Sequence, residues 1–259
     1  MTLVRTESEG SIGTITLDHD KKRNALSKAL IDEIIAGFSE FERQRVRVVI
    51  LRANKGVQVW SAGHDVHELP RSGRDPLAYP DPLEQVIRAL RAYPGAVIGM
   101  VEGSVWGGAC ELALCCDLLV ATPESTFAIT PARLGLPYNA SGLLRVMNAV
   151  GIMIAKELFF TAEPIGAERA HTAGIVNHVV PAFRIELFAQ QLAERIAENS
   201  PLAIASIKET LRLLGNAAPL HPETFERIQG LRRSVYDSAD YREGITAFLE
   251  KRKPVFKGD

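Results

Sequence analysis

The residues best placed to do chemistry in this sequence lie in two glycine-containing turns. One is Ser61-Ala62-Gly63-His64-Asp65-Val66; the other is Val101-Glu102-Gly103-Ser104-Val105-Trp106-Gly107-Gly108-Ala109-Cys110-Glu111-Leu112. Glycine lets a backbone approach a ligand closely, and the first N–H groups of a helix lack intrahelical acceptors. A strand-to-helix junction of this kind can therefore present amide donors to an anion. Either turn alone also fits plain packing. Neither has the GxGxxG or P-loop spacing, so a nucleotide fold of those types is unsupported. Glu111 enters one turn into an apolar helix, and no second carboxylate accompanies it in the sequence. Its two readings, a side chain held by a hydrogen bond and a direct proton carrier, stay open.

Such turns need elements to hold them. Residues 14–17 alternate in polarity as a half-buried strand does, and residues 46–51 form a β-branched run expected of a buried one. Between them, Leu30, Ile34, Phe38 and Phe41 mark an amphipathic helix over 26–41 with Ser27 as its N-cap. The polar stretch 53–82 is too long for a plain connector and is expected to be functional. A helix over 83–92, a strand over 96–101, a helix from 108 to about 116 and a strand over 117–121 follow. Farther on, 167–173 reads as a short helix ended by Gly174, and 175–180 as a strand. Helices are expected over 186–199, 202–214 and 238–251. The change in character near residue 185 predicts two regions: a mixed α/β core over 1–185 and a helical region over 186–259.

Composition narrows the class. At 259 residues, 46% hydrophobic and 24% charged, the chain suits a globular protein with a sizeable core. A formal net charge of −1 gives no general attraction to nucleic acid or to an anionic membrane, and Asp32, Glu33, Glu40 and Glu42 on the first helix repel phosphates. The opening residues show no secretory leader and no run approaches ~20 apolar residues, so a cytoplasmic location without membrane contact is expected. Of Cys110, Cys115 and Cys116, the neighbours 115 and 116 make no ordinary disulfide, and no Cys-x-x-Cys pair exists; buried thiols in a reducing compartment are expected. His19, His67, His171, His178 and His221 show no ligand spacing, so no metal is expected.

Taken together, four segments resemble the crotonase (enoyl-CoA hydratase/isomerase) superfamily over nearly the whole chain. They are Asn24-Ala25-Leu26, the Ser61 to Asp65 block, Gly107-Gly108-Ala109-Cys110-Glu111-Leu112-Ala113, and the tail from Ala247 to Pro254. The resemblance implies an α/β fold, the crotonase (ClpP-like) arrangement of repeated ββα turns with two near-perpendicular sheets and a C-terminal helical trimerisation region. It implies a homotrimer or a dimer of trimers, and an acyl-CoA thioester whose coenzyme A enters as part of the substrate, with no separate cofactor. By matching position, the backbone N–H groups of His64 and Gly108 would form an oxyanion hole. Ala25, Ala62, Asp65 and Val66 would lie along the adenine and pantetheine path. Lys251 would reach the CoA phosphates from its own or a neighbouring subunit; a solvated helix end is the plainer reading of Lys251, Arg252 and Lys253. Preorganised amides stabilise the negative charge that enolate formation places on the thioester oxygen, and losing one costs on the order of 10²–10³ in rate. Because these donors are main chain, the His64 side chain need not be the catalyst.

Hydratases of this superfamily use two glutamates. Glu111 matches the first, but Pro131 in Phe127-Ala128-Ile129-Thr130-Pro131-Ala132 stands at the second. Proline can neither activate water nor protonate carbon. Several further blocks resemble the decarboxylase branch instead: His67-Glu68-Leu69-Pro70, Gly73-Arg74-Asp75-Pro76-Leu77, Gly135-Leu136-Pro137-Tyr138-Asn139 and Val235-Tyr236-Asp237-Ser238. They imply decarboxylation of methylmalonyl-CoA to propionyl-CoA and CO₂, with enoyl-CoA hydration or isomerisation of a short-chain thioester as the alternative. A carboxylate leaves without a base if the site orients it and stabilises the enolate. Tyr138 is the candidate to hold that carboxylate through its hydroxyl, with Thr130 as a weaker contact. Either Tyr138 or a water delivers the proton to C2.

Overall fold

The structure, a computed structural model, describes residues 2–70, 74–215 and 221–258. Gly73, part of one block singled out above, lies outside them. The chain opens with an antiparallel pair, β1 (Val4–Glu9) and β2 (Ile12–Leu17), followed by α1 (Lys28–Arg43). Ser27 caps α1, its Oγ accepting the Leu30 N–H at 3.4 Å, and the expected apolar stripe of Leu30, Ile34, Phe38 and Phe41 is buried.

Three ββα turns come next. They are β3 (Val48–Ala53), β4 (Val59–Ser61) and α2 (Pro82–Ala92); β5 (Ala96–Val101), β6 (Ser104–Trp106) and α3 (Gly108–Leu114); and β7 (Leu118–Ala121), β8 (Thr126–Ala128) and α4 (Ala140–Thr161). The first strand of each turn joins one sheet and the second joins another. After β9 (Ile165–Gly166), α5 (Ala167–Thr172) and β10 (His178–Val179), the chain ends in α6 (Ile185–Ala197), α7 (Pro201–Gly215), α8 (Pro222–Tyr236) and α9 (Ala239–Leu249). Among the described residues the larger sheet runs β1-β2-β3-β5-β7-β10, parallel from β2 onward, and the smaller runs β4-β6-β8-β9.

Strands β3, β5 and β7 are apolar because both faces of their sheet are covered. One face packs on α1, α2 and α3 through residues such as Leu51, Val97, Ile34 and Ile87. The other packs Val48, Ile50, Ile98 and Val120 against Ile185, Ala189, Leu192 and Ala193 of α6.

Some expectations need correction. The 53–82 stretch contains β4, and residues 175–180 form only the two-residue β10. Strands β4, β6 and β8 have three residues each, too few to show a period. Helix α4 went unread because it is apolar on most sides and is interrupted at Gly151, whose φ is 74°.

Candidate active site

Hydrogen bonds staple the 24–26 turn to the segment after β4. Buried Asn24 donates to the Trp60 carbonyl at 3.0 Å and accepts from the His19 N–H at 2.8 Å. Ser61 Oγ donates to the Asn24 carbonyl at 2.6 Å, and the Leu26 N–H donates to the Gly63 carbonyl at 2.8 Å. This fixes the backbone on both sides of His64. Gly63 has φ +84°, and a Cβ there would lie 2.4 Å from the Trp106 carbonyl oxygen, so only glycine lets the first turn rest on the second. A Cβ built on Gly108, the first residue of α3, would lie 3.7 Å from the His64 nitrogen. The two amides expected to work together are thus neighbours, and neither has an acceptor among the described residues.

His64 and Gly108 both line a cavity of about 620 Å³. Ala25, Ala62, His64, Asp65 and Val66 line it, as do Gly108, Thr130 and Tyr138. Two of the residues singled out in the sequence do not. Lys251 follows the end of α9 and is exposed, although Phe248, a turn earlier, reaches the lining. Glu111 is 1% exposed and sits behind Tyr138. Cations that the sequence reading passed over, Lys22, Arg23 and Arg133, also line the cavity.

Glu111 is the centre of a buried polar cluster. One carboxylate oxygen accepts the Tyr138 hydroxyl, and the other accepts Arg145 Nε at 2.7 Å. Arg145 Nη2 also bonds Glu84, which accepts from Asn139 Nδ2 at 2.6 Å and from Ser141 Oγ at 3.2 Å. The expectation that Glu111 has no carboxylate neighbour is therefore wrong: Glu84 from α2 shares its guanidinium. Glu84 is buried away from the cavity lining, with one oxygen accepting from Asn139, Ser141 and Arg145, so it does not replace the missing hydratase acid. Burial raises the Glu111 pKa above the usual carboxylate value, against the opposing pull of Arg145 and Tyr138. Burial and the adjacent Glu111 push the Tyr138 hydroxyl well above 10. A Cβ on Gly142, in the first turn of α4, would meet the Tyr138 ring at 2.4 Å and Glu111 Oε1 at 2.9 Å, which is why this helix begins with a small residue at that point.

The loop ahead of α2 is tied to the same cluster. Arg232 of α8 pairs with Asp75 through both terminal nitrogens, and its Nε donates to the Tyr138 carbonyl at 3.1 Å. Asn139 Nδ2 reaches the Leu77 carbonyl at 3.2 Å, and Tyr241 donates to the Pro70 carbonyl at 2.7 Å. Sequence reasoning missed Arg145 and Arg232. The signal was present, since an arginine beside apolar neighbours in a helix (Leu144-Arg145-Val146) must find a buried partner. Pro131 lines the cavity as expected, and Asp65 is the carboxylate in that lining among the described residues. Asp65 caps the short turn 66–68, its Oδ1 accepting the His67 N–H at 3.0 Å. No group of three His, Cys, Asp or Glu side chains suited to a metal ion occurs among the described residues. No helix described is long and apolar enough to cross a membrane.

Comparison with known proteins agrees with this geometry. The Enoyl-CoA hydratase/isomerase family model matches residues 7–259. Methylmalonyl-CoA decarboxylase of Escherichia coli is 52% identical over 247 residues, covering 95% of each chain. A solved structure of methylmalonyl-CoA decarboxylase in complex with 2-nitronate-propionyl-CoA is 50% identical, with a TM-score of 0.98 over 100% of this chain and 99% of the other. The 2,3-dehydroadipyl-CoA hydratase of Escherichia coli is more distant, 33% identical over 249 residues and 94% of each chain. With one family model spanning almost the entire sequence and a crotonase fold beneath it, the chain belongs to the enoyl-CoA hydratase/isomerase family.

Proposed function

We propose that the chain decarboxylates methylmalonyl-CoA to propionyl-CoA and CO₂ through a thioester enolate. The observation that supports this reading is the lining itself: His64 and Gly108 line a cavity together with Pro131, the residue that the family resemblance puts at a hydratase's second glutamate. Enolate stabilisation is thus provided for, while a carboxylate pair for water addition is missing. The E. coli relative bears the decarboxylase name, and solved structures of methylmalonyl-CoA decarboxylase hold 2-nitronate-propionyl-CoA and 2S-carboxypropyl CoA, both of which fit a carboxylated acyl thioester.

In this reading the two amides hold the thioester oxygen, and the cavity orients the carboxylate so that its bond to C2 stands perpendicular to the thioester plane. Breaking that bond sends its electron pair into the enolate. Tyr138 and Thr130 address the carboxylate, with Glu111 behind Tyr138. Ala25, Ala62, Asp65 and Val66 line the path of the CoA arm, and Lys251 meets its phosphates, most readily from a neighbouring subunit because it lies outside the lining of its own cavity. Assembly as a trimer or a dimer of trimers through the 186–259 region is supported by exposed Leu202, Leu211 and Leu214 on α7 and Leu231 on α8. Residues 1–185 then serve as the acyl-CoA-binding core. No separate cofactor is required, and free Cys110, Cys115 and Cys116 suit a cytoplasmic setting.

Incubation of the purified protein with methylmalonyl-CoA, without added metal, is expected to release CO₂ and propionyl-CoA, followed by mass. Hydration of crotonyl-CoA with no decarboxylation would overturn the proposal and favour the hydratase alternative.

A further inference from the structure

The Tyr138–Glu111 pair leaves one proton to be placed. A tyrosine hydroxyl has a single proton, and here Tyr138 gives it to Glu111. So arranged, the Tyr138 oxygen offers only lone pairs to the cavity and repels an incoming carboxylate. To donate to that carboxylate, Tyr138 must receive a proton bond from Glu111, which then has to be in its acid form.

The surroundings favour that exchange. Glu111 is faced by Tyr138 from the loop before α4, Arg145 from α4, Glu84 from α2, and Cys110 and Cys115 from α3 and its end. Two carboxyl groups share one guanidinium, so a single positive charge faces both of them in a buried place. Burial already raises the affinity of Glu111 for a proton. A substrate carboxylate arriving at Tyr138 adds a second negative charge close by, and like charges push the same way.

Building on the decarboxylase reading, we propose that binding of the carboxylated thioester loads one proton onto Glu111, that Tyr138 thereby turns its hydroxyl to the substrate carboxylate, and that this proton ends on C2. When the C2–carboxylate bond breaks, CO₂ leaves and the bonding pair forms the enolate. C2 then stands where the carboxylate was attached, within reach of the same hydroxyl. Tyr138 gives its proton to C2 and takes the one from Glu111, and the Glu111 carboxylate is reloaded from solvent at the next binding event. One proton is consumed per CO₂ released, as the reaction requires. Arg145 and Glu84 are positioning residues, holding Glu111 against Tyr138 without touching substrate.

The test is calorimetric titration with 2-carboxypropyl-CoA, which has no thioester to form an enolate, in buffers of different ionisation enthalpy between about pH 6 and 9. Propionyl-CoA, lacking the carboxylate, is the comparison. The wild-type protein is expected to take up a proton with the first ligand, approaching about one per site, and clearly less with the second. Glu111→Gln should abolish the difference while still binding 2-carboxypropyl-CoA, because the glutamine amide can itself donate to the Tyr138 oxygen. Equal uptake with both ligands, no uptake at any pH, or undiminished uptake in Glu111→Gln would overturn the proposal. The ligand comparison needs no variant, so it stands even if Glu111→Gln fails to fold. Methylmalonyl-CoA turnover measured on the same preparation separates the two claims: turnover without linked uptake removes only the proton route, whereas absence of turnover removes the decarboxylase reading.

Discussion

His64 Nε2 lies 3.3 Å from Asp81 Oδ2, and the other oxygen of the same carboxylate accepts the Leu83 N–H at 2.9 Å as the N-cap of α2. One aspartate therefore starts a helix and anchors the side chain of the residue whose amide is proposed to hold the thioester oxygen. The other ring nitrogen lies 3.2 Å from the Asp65 carbonyl oxygen. Burial disfavours the charged imidazole, but the bond and charge of Asp81, the Asp65 carbonyl and Glu68 outweigh it, so the His64 pKa is raised above 6.5. A raised folded-state value means that the stabilisation is full below 6.5 and is lost as pH climbs through the folded value. Asp81→Asn, which keeps the cap, is expected to lower the His64 pKa in an NMR titration. It should also reduce the stability difference between about pH 6 and pH 8 in urea unfolding.

Tyr138→Phe removes the hydroxyl and leaves the ring packed edge-on against Phe159, whose centroid is 4.9 Å away. A hydrogen bond to a charged group contributes about 1.5–3 kcal/mol, so kcat/KM for methylmalonyl-CoA is expected to fall roughly ten- to hundredfold. Affinity for propionyl-CoA, which has no carboxylate to hold, should hardly change. Equal losses for the two ligands would point to a general disturbance of the cavity instead.

The sequence made the frame of this site legible wherever an element repeats a pattern long enough to read. Helix α1 announced its stripe and its Ser27 cap, and β5 was bounded to the residue. The two amides were singled out by the family resemblance of the two turns taken together, since the glycines of either turn alone fit plain packing as well. What stayed hidden depends on contacts distant in sequence: Arg145 meets Glu84 across 61 positions, and Arg232 meets Asp75 across 157. Composition near either arginine says that a partner must exist but not which one. The three-residue strands of the smaller sheet were invisible for a different reason, since they owe their form to pairing with one another and too few residues carry the signal.

The role of the Gly108 amide can be isolated with proline. Gly108 is the first residue of α3, a position where proline is tolerated; proline removes the N–H there, adds the Cβ that alanine also adds against Leu83, and places a ring carbon where the hydrogen was. Gly108→Pro is expected to reduce kcat on the order of 10²–10³, the cost of one oxyanion donor, with thermal stability changed far less. Gly108→Ala keeps the amide, and its Cβ meets only the end of the Leu83 side chain at 2.7 Å, so most activity should remain. If both variants lose activity equally, crowding at Leu83 rather than the missing donor is responsible.

Asp75 and Arg232 connect the loop ahead of α2 to a helix that also holds the Tyr138 carbonyl. The Arg232 side chain is only 7% exposed, so removing Asp75 strands a buried guanidinium. Breaking a buried pair in this way costs up to about 3–5 kcal/mol. Asp75→Ala is expected to lower the denaturation midpoint accordingly and to raise KM by loosening the loop over the cavity. The double variant Asp75→Ala with Arg232→Met should recover much of the stability, because no charge is left unpaired, but not the KM, because the tie between loop and helix is still missing. Recovery of both would mean that the pair serves stability alone; recovery of neither would mean that the bond from Arg232 to the Tyr138 carbonyl matters more than the ion pair.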